Sequence, residues 1–358
     1  MAASINDVAR RAGVSVATVS RALRGLPNVA PSTRERVLDA AHELEYVADP
    51  NAARLAAGRS RSIGMVVPLF TQWFFTQCVA GAEAVLAANE YETLLYNVGG
   101  KESRDRFLTE LPFRKRVDGL VLVDLPISED EMATLLGAGA PIVTVGVRTS
   151  LAPSVTIDNY GAAATATRHL ANLGHEHIAL LGNLRDDPLE FRAPVERRRG
   201  YQDALAERGL PVRPELDVPG NFSLEGGAEA MAQLLAVERP PTGVFAMSDE
   251  MAIGALKTVR DSGLRIPDDI SVIGFDDHDM AEFTGLTTIH QPVVDHGEVA
   301  AELLLKRAED PDCEPDHIAM PTKLVVRTTT GPRRVARHDR PSRPRPTPPL
   351  AGSPRELA

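Results

Sequence analysis

Residues 5–23 read Ile5-Asn-Asp-Val-Ala-Arg-Arg-Ala-Gly-Val-Ser-Val-Ala-Thr-Val-Ser-Arg-Ala-Leu23, and this stretch decides how the N-terminal part of the chain folds. Ser4, three residues before Asp7, is spaced as a helix N-cap with an acid on the positive helix end. Ile5, Val8, Ala9 and Ala12 then share one helical face. Gly13 supplies the left-handed residue that ends a helix, with Val14 as a plug between helices. Ser15 is placed to cap a second helix whose Val19, Ala22 and Leu23 point inward. Its outer face then carries Val16, Ala17, Thr18, Ser20 and Arg21. Helix, Gly-containing turn, helix is the helix-turn-helix unit, whose second helix enters the DNA major groove. A plain helical subdomain shares the same spacing. Ser32 and Glu35 predict a capping box for a third helix that buries Val37, Leu38, Ala41 and Leu44.

Beyond this head, Asp49-Pro50 reads as an N-cap followed by proline at the first helical position, and Gly58 as the stop. The intervening Asn51–Ala57 is only about two turns long, too short to be stable alone in water. From Ser62 onward the pattern alternates. Continuous apolar runs (63–68, 93–96, 120–123, 142–145, 178–181, 244–247, 272–275) are separated by mostly Ala-rich helical stretches such as 78–89, 160–173, 223–236 and 250–263. Buried strands alternating with helices predict an α/β body of parallel sheets covered on both faces. Ligands bind such sheets at the carboxyl ends of the strands. The last 27 residues, 332–358, are Pro- and Arg-rich without apolar periodicity and read as a disordered tail lacking the heptads of a tetramerising coiled coil.

The net charge is −10, yet it is unevenly spread. Residues 1–62 carry nine Arg against six acids, and 332–358 seven Arg against two, which leaves the body at −18. A basic head on an acidic body suits a head that approaches phosphates. The two cysteines, Cys78 and Cys313, lie far apart, without metal-type spacing, and fit a reducing compartment. No signal-type start and no run of about 18 apolar residues is found, so a cytoplasmic protein with no membrane association is expected. No dinucleotide fingerprint, P-loop, zinc-protease motif or nucleophile elbow occurs. The chain is therefore expected to be no enzyme and to need no cofactor or metal. His169, His175 and His177 cluster near a helix end, where histidines usually cap or face solvent.

The string from Ile5 to Leu23, continued by Arg34-Glu35-Arg36-Val37 and Leu44-Glu45-Tyr46, closely resembles the head of the lactose-repressor/galactose-repressor (LacI/GalR) family. In the body the resemblance runs through 62–331, notably Ile157-Asp158-Asn159, Gly200-Tyr201, Ser248-Asp249 and Ile266-Pro-Asp-Asp-Ile-Ser-Val-Ile-Gly-Phe-Asp-Asp277. It implies a helix-turn-helix head (1–48), a hinge (49–61) and a two-lobed body of the periplasmic-binding-protein type (62–331). Lobe 1 would span about 62–158 and 291–320, and lobe 2 about 159–290 and 321–331. It further implies a homodimer on double-stranded operator DNA and a small-molecule effector, a carbohydrate above all. Val16, Ala17 and Arg21 match base-reading positions. Arg21 can pair bidentately with guanine, and Val16 and Ala17 can only touch apolar groups such as a thymine methyl. Thr18 and Ser20 match phosphate-positioning contacts. Leu55 matches the hinge residue that wedges between base steps in the minor groove. Ala48 departs from the proline usual there, and proline comes instead at Pro50.

For the effector, Arg197, Ser248 and Asp276 match polar positions at strand ends or cleft rims, and a carboxylate can accept from two sugar hydroxyls. Asp249 reads as structural. Trp73, Phe74 and Phe75 follow the first strand, either as core or as a stacking face for a sugar ring. A solute-binding protein of the same body fold without a DNA role is the alternative reading.

Overall fold

The computed structural model describes residues 3–23, 25–46, 60–183, 187, 189–310 and 315–334. The expected hinge helix with Leu55, Cys313 and the tail from 335 onward lie outside the described residues.

The head is three helices on a small core. α1 (Ile5–Ala12) begins in a complete Ser4/Asp7 capping box and ends at Gly13, whose φ of 66° is the left-handed turn the sequence predicts. Ser15 caps α2 (Val16–Leu23) by accepting the Thr18 N–H at 3.2 Å. Val8, Ala9, Ala12, Val19, Ala22, Val37, Ala40 and Ala41 interlock, with Leu23 and Leu44 packed around them. Two expectations fail in α3 (Pro31–Glu43). The helix starts one residue before Ser32, with Pro31 in its first turn and no side-chain cap from Ala30, so no Ser32/Glu35 box forms. Proline needs no hydrogen-bond acceptor for its nitrogen and brings a helical φ, so the start moves to it. Leu38 is exposed, because the buried stripe runs through Val37, Ala40 and Ala41 and a residue one step along lies about 100° round the helix.

Sheet one runs β11-β5-β4-β3-β1-β2, all parallel, from β1 (Ser62–Val67), β2 (Glu92–Asn97), β3 (Gly119–Val123), β4 (Ile142–Val145), β5 (Ser154–Ile157) and β11 (His317–Met320). Sheet two runs β12-β10-β9-β8-β6-β7, from β6 (Ile178–Gly182), β7 (Asp217–Pro219), β8 (Gly243–Ala246), β9 (Ser271–Asp276), β10 (Thr287–His290) and β12 (Lys323–Val325). Only β12 is antiparallel to its neighbour. The chain passes between sheets after β5, after β10 and between β11 and β12. The central strands β1, β3, β4, β6, β8 and β9 are buried throughout, which is why they read as unbroken apolar runs. Strands β5, β7, β10, β11 and β12 are short or polar, such as Asp217-Val-Pro219, and carry no such signal.

Around sheet one lie α4 (Trp73–Ala88), α5 (Lys101–Glu110), α6 (Glu129–Leu136) and α12 (Val293–Glu309). With sheet two go α7 (Asn159–Asn172), α8 (Arg192–Glu207), α9 (Leu224–Leu235), α10 (Asp249–Asp261) and the short α11 (Met280–Thr284). The α4–α12 crossing is made by glycines. A Cβ added to Gly81 would lie 2.0 Å from the Val294 carbonyl, and one on Gly297 1.9 Å from that of Cys78. His175 is neither a cap nor at the surface. Its Nε2–H donates to the Gly331 carbonyl at 3.0 Å and its Nδ1 meets the Thr242 hydroxyl at 3.0 Å, tying the C-terminal segment to the sheet. Among the described residues no helix is long and apolar enough to cross a membrane.

Candidate functional site

Two features offer themselves to other molecules. The first is the outer face of α2. Val19 and Ala22 anchor it to the head core, and Val16, Ala17 and Arg21 are exposed beside the half-buried Thr18 and Ser20. The Thr18 hydroxyl lies 2.9 Å from that of Ser15. Five of the six residues expected to meet DNA are thus brought together on one short helix, and the sixth, Leu55, lies outside the described residues.

The second is a cleft between the sheets, enclosing about 670 Å³ of unfilled space with its open mouth included. From the sheet-one side come Leu69, Gln72, Phe74, Phe75, Asp124 and His296; from the sheet-two side come Asn159, Phe191, Arg197, Phe222 and Asp276, with Gln291 on the chain between them. The strand-end rule explains the polar groups. Asp124 follows β3 and Asp276 closes β9, so both stand where a parallel sheet opens.

Arg197 is the organiser of this floor. It is buried on α8, its Nε–H donates to Asn159 Oδ1 at 2.8 Å, and Nη1 donates to the Met247 carbonyl. The guanidinium stacks 3.6 Å from the centre of the Phe275 ring and stands 4.0 Å from Asp276. Asp276 has a φ of 117°, a strained conformation for any residue with a side chain. Its carboxylate accepts from Gln291 Nε2. Burial pushes its pKa up to about 6, against the pull of Arg197 and Gln291. Asp249 is fully buried, accepting the Thr288 hydroxyl at 2.7 Å and the His278 N–H at 2.8 Å. Burial, with Asp276 nearby, holds its carboxyl well above the usual carboxylate range. It is a brace beneath the floor.

The expected effector residues separate into two groups. Phe74, Phe75, Arg197 and Asp276 line the cleft together. Trp73 and Ser248 do not. Trp73 opens α4 at the rim, where its Nε1–H donates to Asp279 Oδ2 at 3.1 Å and its ring lies 4.8 Å from that of His278. It therefore bridges a sheet-one helix to the loop after β9. Ser248 is spent as the N-cap of α10, accepting the Met251 N–H at 3.3 Å. A Ser before an acid at a helix start has this local use available, and it keeps the hydroxyl from the cleft wall. Asp124, Asn159, Gln291 and His296 were not singled out by sequence. Asp124 carries the same signal as Asp276, an acid directly after an apolar run. Asn159 lies inside the quoted Ile157-Asp158-Asn159 match. Nothing local marks Gln291 or His296.

The comparisons agree with this layout. Residues 4–49 match the model of bacterial regulatory proteins of the lacI family, and 167–330 that of a periplasmic binding protein-like domain. Catabolite control protein A of Priestia megaterium is 33% identical over 92% of this chain and 100% of its own length. The HTH-type transcriptional repressor PurR of Vibrio campbellii is 36% identical over 91% and 98%. The Lac repressor dimer bound to operator and the anti-inducer ONPF superposes with a TM-score of 0.78 at 28% identity, covering 92% of this chain and 100% of that one. A complex of the transcriptional regulator CelR with cellobiose gives 0.67 at 32% identity, covering 91% and 99%. Head, cleft and relatives aligned over nine-tenths of the sequence lead to one conclusion: the chain belongs to the lacI family of bacterial regulatory proteins and is a DNA-binding transcription regulator.

Proposed function

We propose that this chain is a cytoplasmic, homodimeric repressor that reads a pseudo-palindromic operator and releases or grips it according to a sugar held in the cleft. Val16, Ala17 and Arg21 contact base edges, Thr18 and Ser20 position the helix on phosphates, and Leu55 wedges into the minor groove from the hinge. The cleft contacts are Phe74, Phe75, Arg197 and Asp276, with Trp73 closing the rim and Ser248 acting only through the start of α10. The sugar is bound and not turned over. In this reading the head ends near residue 48 and the hinge near 61, and the lobes follow the two sheets.

The observation that carries the reading is that α2 turns its apolar side chains Val19 and Ala22 inward while presenting Val16, Ala17 and Arg21 to solvent. An exposed arginine beside small apolar groups suits base reading. The sugar is supported by the aromatic and carboxylate lining of the cleft, and by the cellobiose- and ribose-bound relatives, with TM-scores of 0.67 and 0.68. A ligand and an operator that prefer different arrangements of the lobes weaken each other's binding by the same factor.

The test is selection of duplexes from random sequence by the full-length protein at fixed salt, followed by titration of the winner. A two-fold-symmetric site should emerge. Arg21→Ala should weaken binding to it by roughly 1–3 kcal/mol with little effect on random duplex. Failure to enrich any sequence would refute the proposal.

A further inference from the structure

On an acidic body, three consecutive cations stand in the open. Arg114, Lys115 and Arg116 form the turn between α5 and β3, and all three are exposed. Among the described residues no carboxylate pairs with any of them. The body's other basic run is used internally. Arg197 is buried, Arg198 bonds to Asp217 at 2.9 Å, and Arg199 faces Asp203 at 3.7 Å. The exposed turn is also held in shape. The Arg114 N–H donates to the Leu111 carbonyl at 3.0 Å and the Arg116 N–H to that of Phe113 at 2.9 Å. Phe113 is fully buried beneath them, its ring 5.6 Å from that of Phe107. Lys115 takes a φ of 59°, in the left-handed region that favours glycine. A lysine kept there, at some cost in backbone energy, points to a use for its charge.

The turn sits where the chain enters the body. Ser60 and Arg61 donate their backbone N–H groups to the Asp118 carboxylate at 2.7 and 2.9 Å, and the Ser60 hydroxyl donates to it at 2.8 Å. Asp118 is two residues past Arg116, and its charge is spent on this anchor. Sheet one is parallel, so this edge carries the amino ends of its strands, away from the cleft. Glu90, Glu92 and Glu110 are exposed at the same edge, so the attraction for an anion belongs to the triplet and not to the edge as a whole. Five residues take the chain from Leu55 to Ser60, a reach of at most about 18 Å. With Leu55 in the minor groove, the turn is held close to the duplex. That groove is only about 6 Å wide, with a phosphate backbone on either side.

We propose that Arg114, Lys115 and Arg116 are a DNA contact carried by the body, pairing with backbone phosphates beside the hinge. They add affinity that does not depend on sequence, and each copy of the dimer supplies one such turn. The contact rests on the operator and hinge reading proposed above.

The experiment uses the full-length protein, the operator selected from random sequence and a random duplex, with affinity measured from about 50 to about 200 mM salt. The variants are Arg114→Gln with Arg116→Gln, Lys115→Gly alone, and Arg114→Lys with Arg116→Lys. Each phosphate contact contributes about 0.9 to the slope of log affinity against log salt. The glutamine variant removes two cations from each chain, so its slope should be less steep by about 2–4. Its affinity for operator and for random duplex should fall by similar factors, about tenfold or more at the lowest salt. Glycine adopts the φ of position 115 freely, so Lys115→Gly should melt no lower than the parent while its slope eases by about 1–2. The lysine variant should keep the parent's slope. Unchanged slope and affinity in the glutamine and glycine variants would overturn the assignment. So would weaker operator binding at an unchanged slope, which would set the turn against the protein's own hinge or head. A lysine variant as weak as the glutamine variant would remove charge as the cause and overturn it equally. A parent that selects no duplex defeats the operator reading itself, whereas a selective parent with variants of unchanged slope defeats only the contact made by the body.

Discussion

Replacing Arg197 with methionine should cost more stability than any other single change in the cleft, and the loss should grow with pH. Methionine keeps the length of the stem and part of the packing on Phe275, but it donates nothing. Asn159 Oδ1 loses the partner at 2.8 Å, the Met247 carbonyl loses its own, and Asp276 loses the cation 4.0 Å away. Breaking a buried charged network by removing one member costs about 3–5 kcal/mol. For a body of this size that lowers the melting temperature by on the order of 10 °C. The pH dependence follows from Asp276. Its pKa in the folded protein is already raised to about 6, with Arg197 resisting the rise. At pH 5 its carboxyl is largely protonated in the parent, so the missing cation matters less. At pH 8 the variant must either bury an unpaired carboxylate or take up a proton from dilute solution. Thermal denaturation of the full-length protein at pH 5 and pH 8, without sugar, reads both effects. A variant within about 2 °C of the parent at pH 8 would show that Arg197 does not organise the floor. An equal loss at both pH values would remove Asp276 from the network.

Asp124 gives a second pH signature. Because burial raises its folded-state pKa to about 7, the folded protein holds this proton more tightly than the unfolded chain. The associated penalty therefore builds as pH rises from about 4 to about 7, and Asp124→Asn should gain about 2 kcal/mol on the parent between pH 5 and pH 8. A melting difference that stays flat across that range would contradict it. Leu55→Ala should weaken operator binding and reduce DNA bending while leaving sugar affinity intact, as gel mobility and calorimetry would reveal. Equal operator affinity would argue against the hinge wedge. Trp73→Phe removes the bond to Asp279 that bridges the rim, so bound sugar should dissociate several-fold faster in stopped flow. An unchanged off-rate would leave Trp73 with no part in closure. Trp73 is the only tryptophan of the chain, so the parent's intrinsic fluorescence should report closure directly.

Sequence by itself determined the head and the sheet interiors, since both follow from local periodicity. The Ser4/Asp7 box, Gly13 and Ser15 set two helix boundaries through their own backbone bonds, and the exposed face of α2 follows from which residues are 3.6 apart. Doubly covered strands must be apolar throughout, so β1, β3, β4, β6, β8 and β9 stand out as runs, as does the edge strand β2, while short strands such as β5, β7, β10 and β12 do not. Tertiary structure alone decided the cleft. Asp124 and His296 are 172 positions apart in the chain, and only the return of α12 to sheet one puts them on one cavity wall. The same limit explains Ser248 and Trp73. A residue's type announces that it can bond, but whether that capacity faces the cleft, a helix end or the opposite lobe depends on chain segments far away in sequence.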